Sequence, residues 1–291
     1  MLKPAYLALA LGAVTASTVL ASVAQAQEVE IENAVARVVV IPEDRSDIQV
    51  TVDQGAAGLP AIQVSRRGQN VRIDGGLRRR IGSCHGTGAV MDPTRMPPGV
   101  RVVVRDHGDV EMAQAPLIVI RTPMDVRVDS SGAVWGAIGR SASASVGVGG
   151  CGDWAVANTS GDLSIAIGGS GSVRTGTAGA LEAAIGGSGS IATAAIDGSA
   201  ELTIGGSGDI TVASVNGTGQ IAVGGSGSVR VDGGRVTSLD VAVAGSGDVR
   251  VNAVAETLSA TIAGSGDVSV ARVTGPVSRS ILGSGDLNIG S

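Results

Sequence analysis

A Gly-Ser-Gly triplet recurs seven times in the second half of this chain, with its serine at Ser170, Ser188, Ser207, Ser226, Ser246, Ser265 and Ser284. The steps between copies are 18, 19, 19, 20, 19 and 19 residues. One step further back lands on Cys151 in "GGCGDW" and another on Ser131 in "SSGAV", so the repeat covers residues 129–291 with two degenerate first copies. Spacing this constant marks a stacked repeat architecture, in which every unit contacts only its neighbours.

Each repeat also has an internal period of two. Leu163, Ile165 and Ile167 precede one turn, Ala200, Leu202 and Ile204 another, and Leu239, Val241 and Val243 a third. Val173, Ile191, Ile210, Val229, Val249, Val268 and Leu287 follow the turns. Such alternation belongs to strands with one buried face. Asp197-Gly198, Asn216-Gly217 and Asp232-Gly233 supply a second corner in mid-repeat. A unit this short cannot bury its own apolar face, whereas coils stacked about 4.8 Å apart bury it collectively. The expected fold is all-β, a parallel β-solenoid (β-helix) with about 19 residues per coil. Its inward column is expected to run through Ile167, Ile185, Ile204, Val223, Val243 and Ile262. Glycine at the corners has two expected causes, a backbone at positive φ and the close approach of stacked corners.

Composition fits a narrow core. Glycine is 46 of 291 residues, phenylalanine is absent, and the aromatics are Tyr6, Trp135 and Trp154. Valine, isoleucine, leucine and alanine must therefore fill the interior. Residues 1–26 read as a signal peptide, with Lys3, an apolar stretch over 5–23 and Ala24-Gln25-Ala26 as the cleavage site. A retained membrane anchor is the alternative. Cleavage removes the single lysine and leaves 20 arginines against 26 acidic residues, a formal charge of −6. That balance argues against nucleic acid or an anionic membrane as the main partner. The processed chain is expected to be soluble and to reside in the periplasm or at the cell surface.

Residues 27–128 are less regular. Strands are expected over 35–41, 48–52, 71–73, 100–104 and 117–120, with this β-rich region forming the first coils and capping one end. A separate small β domain is the alternative. The C-terminal edge at 281–290 carries no cap and is expected to allow weak homodimerisation.

The turns every 19 residues, behind an irregular β region and an export signal, resemble the bacterial auto-transporter adhesin head GIN domain family over about residues 35–290. "GCGDW" at 150–154, together with "LPAIQV" and "IDGGLRRR", is similar to its alphaproteobacterial branch. The resemblance implies a β-helix of the cell envelope. Two features depart from the family: Gly-Ser-Gly-Asp replaces the Gly-Ile-Asn triplet, and no translocating barrel follows.

Candidate chemistry is sparse. The residue after each triplet forms a column, Asp153, Ser172, Ser190, Asp209, Ser228, Asp248, Asp267 and Asp286. Each side chain is expected to bond its own turn backbone. The alternative is a Ca²⁺ ladder at Asp248, Asp267 and Asp286, since like charges one coil apart repel. Cys84 and Cys151, the only cysteines, are expected to close a disulfide in an oxidising compartment. A metal held by Cys84, His85, Cys151 and Asp153 is the competing possibility. Arg78, Arg79 and Arg80 read as a solvated loop or a contact for an acidic polymer. Neither His85 nor His107 has triad or metal spacing, and no G-x-S-x-G, phosphate loop or H-E-x-x-H occurs. No cofactor is expected. The sequence points to a non-catalytic, adhesin-like envelope module binding an envelope component or glycan. A polysaccharide-active β-helix enzyme, whether lyase or glycosidase, and a Ca²⁺-stabilised repeat protein are the rivals.

Overall fold

The computed structural model describes residues 27–86 and 92–290; the expected signal segment lies outside them. The chain forms a parallel β-solenoid of about nine turns. Along one side Ile167, Ile185, Ile204, Val223, Val243 and Ile262 stand in unbroken parallel register. Each is at most 1% exposed, so the expected column is the core of that side. A second side stacks Val173, Ile191, Ile210, Val229, Val249, Val268 and Leu287. A shorter third segment closes each coil, with Ile196 over Val215 and Ala255 over Val273. Burying each such side chain contributes on the order of 1.5–3 kcal/mol.

The corner glycines have one of their two expected causes. Among the glycines of the seven Gly-Ser-Gly corners, only Gly283 has φ in the left-handed range. Positive φ is therefore not what selects glycine here. Close approach is. A Cβ on Gly206 would lie 2.1 Å from the carbonyl oxygen of Gly187, and one on Gly208 would lie 2.2 Å from that of Gly189. The same clash recurs at Gly187, Gly225, Gly245 and Gly264. Between coils, the Ser207 N–H donates to the Gly187 oxygen (3.0 Å) and the Ser226 N–H to the Gly206 oxygen (3.1 Å). The glycine just before each such triplet is different. Gly205 meets nothing nearer than 3.9 Å, and in later copies Ala244, Ala263 and Leu282 occupy that place.

The amino-terminal end departs from simple coil order. The first strand, Val29–Pro42, lies between later ones: it pairs in parallel with Asn70–Asp74 and Leu117–Thr122 on one edge and with Asp125–Ile138 on the other. Two antiparallel strands then cover this end, Gln49–Asp53 against Leu117–Thr122 and Gln63–Arg67 against Asn70–Asp74. Antiparallel closure stops further coil stacking and puts polar side chains on the rim. Sequence patterning anticipated five of the strands in this region and missed Gln63–Arg67, Ile81–His85 and Gly108–Glu111.

Between Asn70–Asp74 and Leu117–Thr122 the chain leaves the solenoid to form a three-stranded antiparallel sheet, Ile81–His85, Arg101–Val104 and Gly108–Glu111. Val102, Val104, Val110, Met112 and Leu77 pack with Trp135, Ala133 and Val35 in a second cluster outside the main core. Trp154 points inward instead, over Gly136, where a Cβ would fall 2.4 Å from the indole ring. The two tryptophans thus divide the work, one filling the first coils and the other joining the small sheet to the stack.

Candidate functional site

The column after the triplets bonds differently from expectation. Asp248 Oδ1 accepts the backbone N–H of Asp267 (2.9 Å), and Asp267 Oδ1 accepts that of Asp286 (2.8 Å). Asp209 Oδ1 accepts both the N–H (3.1 Å) and the hydroxyl (2.5 Å) of Ser228, and the Ser190 hydroxyl donates to that of Ser172 (3.2 Å). Asp209, Asp248 and Asp267 therefore grip the next coil rather than their own turns, because parallel stacking brings the next coil's N–H within reach. Asp248 and Asp267 each spend a carboxylate oxygen on these bonds. Among the described residues no group of three or more His, Cys, Asp or Glu side chains is placed to hold a metal ion.

Cys84 and Cys151 are joined by a disulfide, with Cα atoms 6.3 Å apart and 67 residues between them in sequence. Cys84 lies on the small sheet and Cys151 on a degenerate corner of the stack, and both pack against the second cluster. The bridged sulfurs exclude the Cys-His-Cys-Asp metal arrangement. His85 is exposed, with its Nε2 2.9 Å from the Ser83 hydroxyl, and His107 lies in an exposed turn. Reduction of the bridge is expected to lower stability by about 2–4 kcal/mol. Thiol titration of denatured, unreduced protein should find no reactive thiol; two would contradict the bridge.

A carboxyl pair escaped the sequence reading. Glu28 and Asp129 stand on neighbouring outward positions and share a hydrogen bond, which raises the Glu28 pKa above its ordinary 4.5. Burial and the charges of Asp129 and Glu30 act in the same direction, and Arg127 opposes them. Gly147 belongs to this arrangement, since a Cβ there would fall 1.9 Å from Asp129 Oδ1. The folded chain holds this proton more tightly than the unfolded one, so the contribution is present below pH 4.5 and is lost as pH rises through the folded value. Melting curves of Glu28→Gln should accordingly decline less than those of the parent between pH 4.5 and neutrality. Identical pH profiles would show that the pair carries no linkage.

The arginine run forms a short 3-10 turn, Arg78–Arg80, ahead of the small sheet. Leu77 anchors it from the second cluster, and the Leu77 N–H donates to the Asn33 oxygen (3.0 Å). The Arg105 N–H donates to the Arg80 oxygen (2.8 Å), bringing a fourth arginine alongside. Arg80 Nη2 bonds the Gly76 oxygen (2.8 Å), while Arg78, Arg79 and Arg105 are exposed. A groove of about 410 Å³ separates Arg78 from the glycine corners at Gly132, Gly150 and Gly169.

Residues 177–274 match the family described as "Putative auto-transporter adhesin, head GIN domain". The whole fold is similar to a crystal structure of a "putative adhesin" from Parabacteroides distasonis, at 19% identity over 91% of this chain and 93% of that one, with a TM-score of 0.56. A "putative lipid binding protein" from the same organism aligns at 20% identity over the same shares, with a TM-score of 0.50. No curated protein matches the sequence.

Proposed function

We propose, starting from the match of residues 177–274 to the auto-transporter adhesin head GIN domain family, that this chain is a non-catalytic, adhesin-like binding and structural module of the cell envelope. The observation that carries the reading is the outer surface of the stack. Its recurring polar side chains are committed to coil-to-coil bonds, as at Asp209, Asp248 and Asp267. Glycoside cleavage needs two carboxyl groups held roughly 5–9.5 Å apart across a bound sugar. Export to the periplasm or cell surface belongs to the same proposal, as does an oxidising compartment for the Cys84–Cys151 bridge.

A glycan array probed with purified residues 27–291 tests the binding role, and a reducing-end assay on the bound glycans tests for catalysis. Binding without cleavage is expected; release of new reducing ends would transfer the chain to the enzyme class.

Weak self-association through the last coil is part of this reading. Four of the six exposed large apolar side chains lie there: Val277, Ile281, Leu282 and Ile289. Arg279 stands in register with the buried Ala260 of the preceding coil, placing a charge at an inward position of that end. An inward charge on an edge strand limits pairing with another chain. Sedimentation should show a weak dimer that tightens in Arg279→Val. Monomer alone for both proteins would contradict this interface.

A further inference from the structure

We infer that the turn Arg78–Arg80, with Arg105, is a docking surface for an acidic polysaccharide. The inference rests on the reading of the chain as a glycan-binding module and names the ligand class. Three non-glycine residues have positive φ among those described, Asn33 (52°), Arg78 (44°) and Asp106 (71°). All three belong to this one patch: Asn33 receives the Leu77 N–H and lines the groove with Arg78, and Asp106 follows Arg105 in sequence. Asparagine and aspartate tolerate the left-handed region, but arginine does not ordinarily enter it. Backbone held off its preferred conformations gathers where a surface must present groups in a fixed direction. Here the Leu77 anchor, the Arg105–Arg80 backbone bond and the disulfide at Cys84 hold it in place.

The charge balance of the patch selects an anion. Arg78, Arg79 and Arg105 make no salt bridge among the described residues. Asp74 is turned back onto the Gly76 N–H (2.8 Å) and the Asn33 amide (3.2 Å); the first of these bonds leads in lowering its pKa, and Arg78 adds a smaller pull. Guanidinium groups pair with planar carboxylates through two parallel hydrogen bonds, which gives geometric preference as well as attraction. The groove beside Arg78 continues along small residues, Gly150, Gly169 and Ser170, so a polymer has room to lie along the corner ridge.

Two other polyanions fit less well. Both tryptophans are buried, which leaves no aromatic platform for nucleic-acid bases. A membrane surface would need a cluster of exposed large apolar side chains, and four of the six such side chains lie on the last coil rather than in this patch.

The test uses residues 27–291 against immobilised polygalacturonate, neutral dextran and single-stranded DNA, at low and at physiological salt. The variant Arg78→Gly/Arg79→Ser/Arg105→Ser keeps the fold, because glycine relaxes the backbone at 78; its melting curve checks this. Polygalacturonate should bind best, weaken with salt, and lose roughly tenfold or more in affinity in the variant, as expected for charge-assisted contacts. Undiminished polygalacturonate binding by the variant overturns the arginine surface and leaves the module reading intact. Equal binding of DNA overturns the commitment to a glycan. Binding to dextran alone removes the acidic ligand while still supporting a glycan module. Failure to bind any polymer removes this inference, and a blank glycan array alongside it removes the module reading as well.

Discussion

Ile204→Asp is expected to abolish folding. Ile204 is fully buried, paired in register with Ile185 on one side and Val223 on the other, inside a core of apolar residues. An aspartate there meets no cation, and an uncompensated buried charge costs several kcal/mol in addition to the lost packing, which for large-to-small core changes is about 2–5 kcal/mol. Domains are stable by only about 5–15 kcal/mol in total. Neighbouring coils have no other partner for that face, so the damage is not absorbed elsewhere. Circular dichroism should show no cooperative unfolding transition. A variant melting like the parent would mean that the inward column is misplaced.

Gly206→Ala carries the second largest expected loss. The added methyl would sit 2.1 Å from the Gly187 carbonyl oxygen, and the clashing atom is backbone, which cannot rotate away. The two coils must separate at that corner, at the expense of the Ser207–Gly187 bond and its neighbours. Overpacking costs typically 1–3 kcal/mol and each lost hydrogen bond about 1 kcal/mol, so a loss of roughly 4 kcal/mol is expected. Gly205→Ala, one residue earlier, should change stability by less than about 0.5 kcal/mol, within the range of ordinary surface substitutions. Chemical denaturation of both variants measures the difference directly.

The stack was legible because every coil repeats the same physical demands. An alternating strand, a small corner and a second strand recur every 19 residues, and parallel register follows once coil lies on coil. The amino-terminal region was not legible in the same way. Val29–Pro42 is strand-like on local evidence, but its place between two later segments depends on pairings such as Arg37 with Leu117 and Val29 with Val128, distant in sequence, which no local pattern encodes. The small sheet was partly visible in residues 100–104. Its partner Ile81–His85 has the pattern "IGSCH", too poor in apolar residues to read as a strand.

Site residues divide along the same line. Cys84 and Cys151 could be paired by elimination, being the only two. The aspartate column was visible as a spacing, but its hydrogen bonds go to the next coil, a direction that a single turn does not reveal. Glu28 and Asp129 lie far apart in sequence and become neighbours only because the first strand is inserted beside Asp125–Ile138. Arg105 joins Arg78–Arg80 for a similar reason, through the antiparallel pairing of the small sheet.

Alanine placed in turn at Gly186, Gly187, Gly205, Gly206, Gly224 and Gly225 tests most directly whether the recurring turn is a stacking corner. The three open positions, Gly186, Gly205 and Gly224, meet nothing nearer than 3.8 Å, whereas Gly187, Gly206 and Gly225 would place a Cβ within 2.1 Å of a carbonyl oxygen in the preceding coil. Melting temperatures close to the parent are expected for the first three and large drops for the other three. Equal losses at all six positions, or none at Gly187, Gly206 and Gly225, would contradict it.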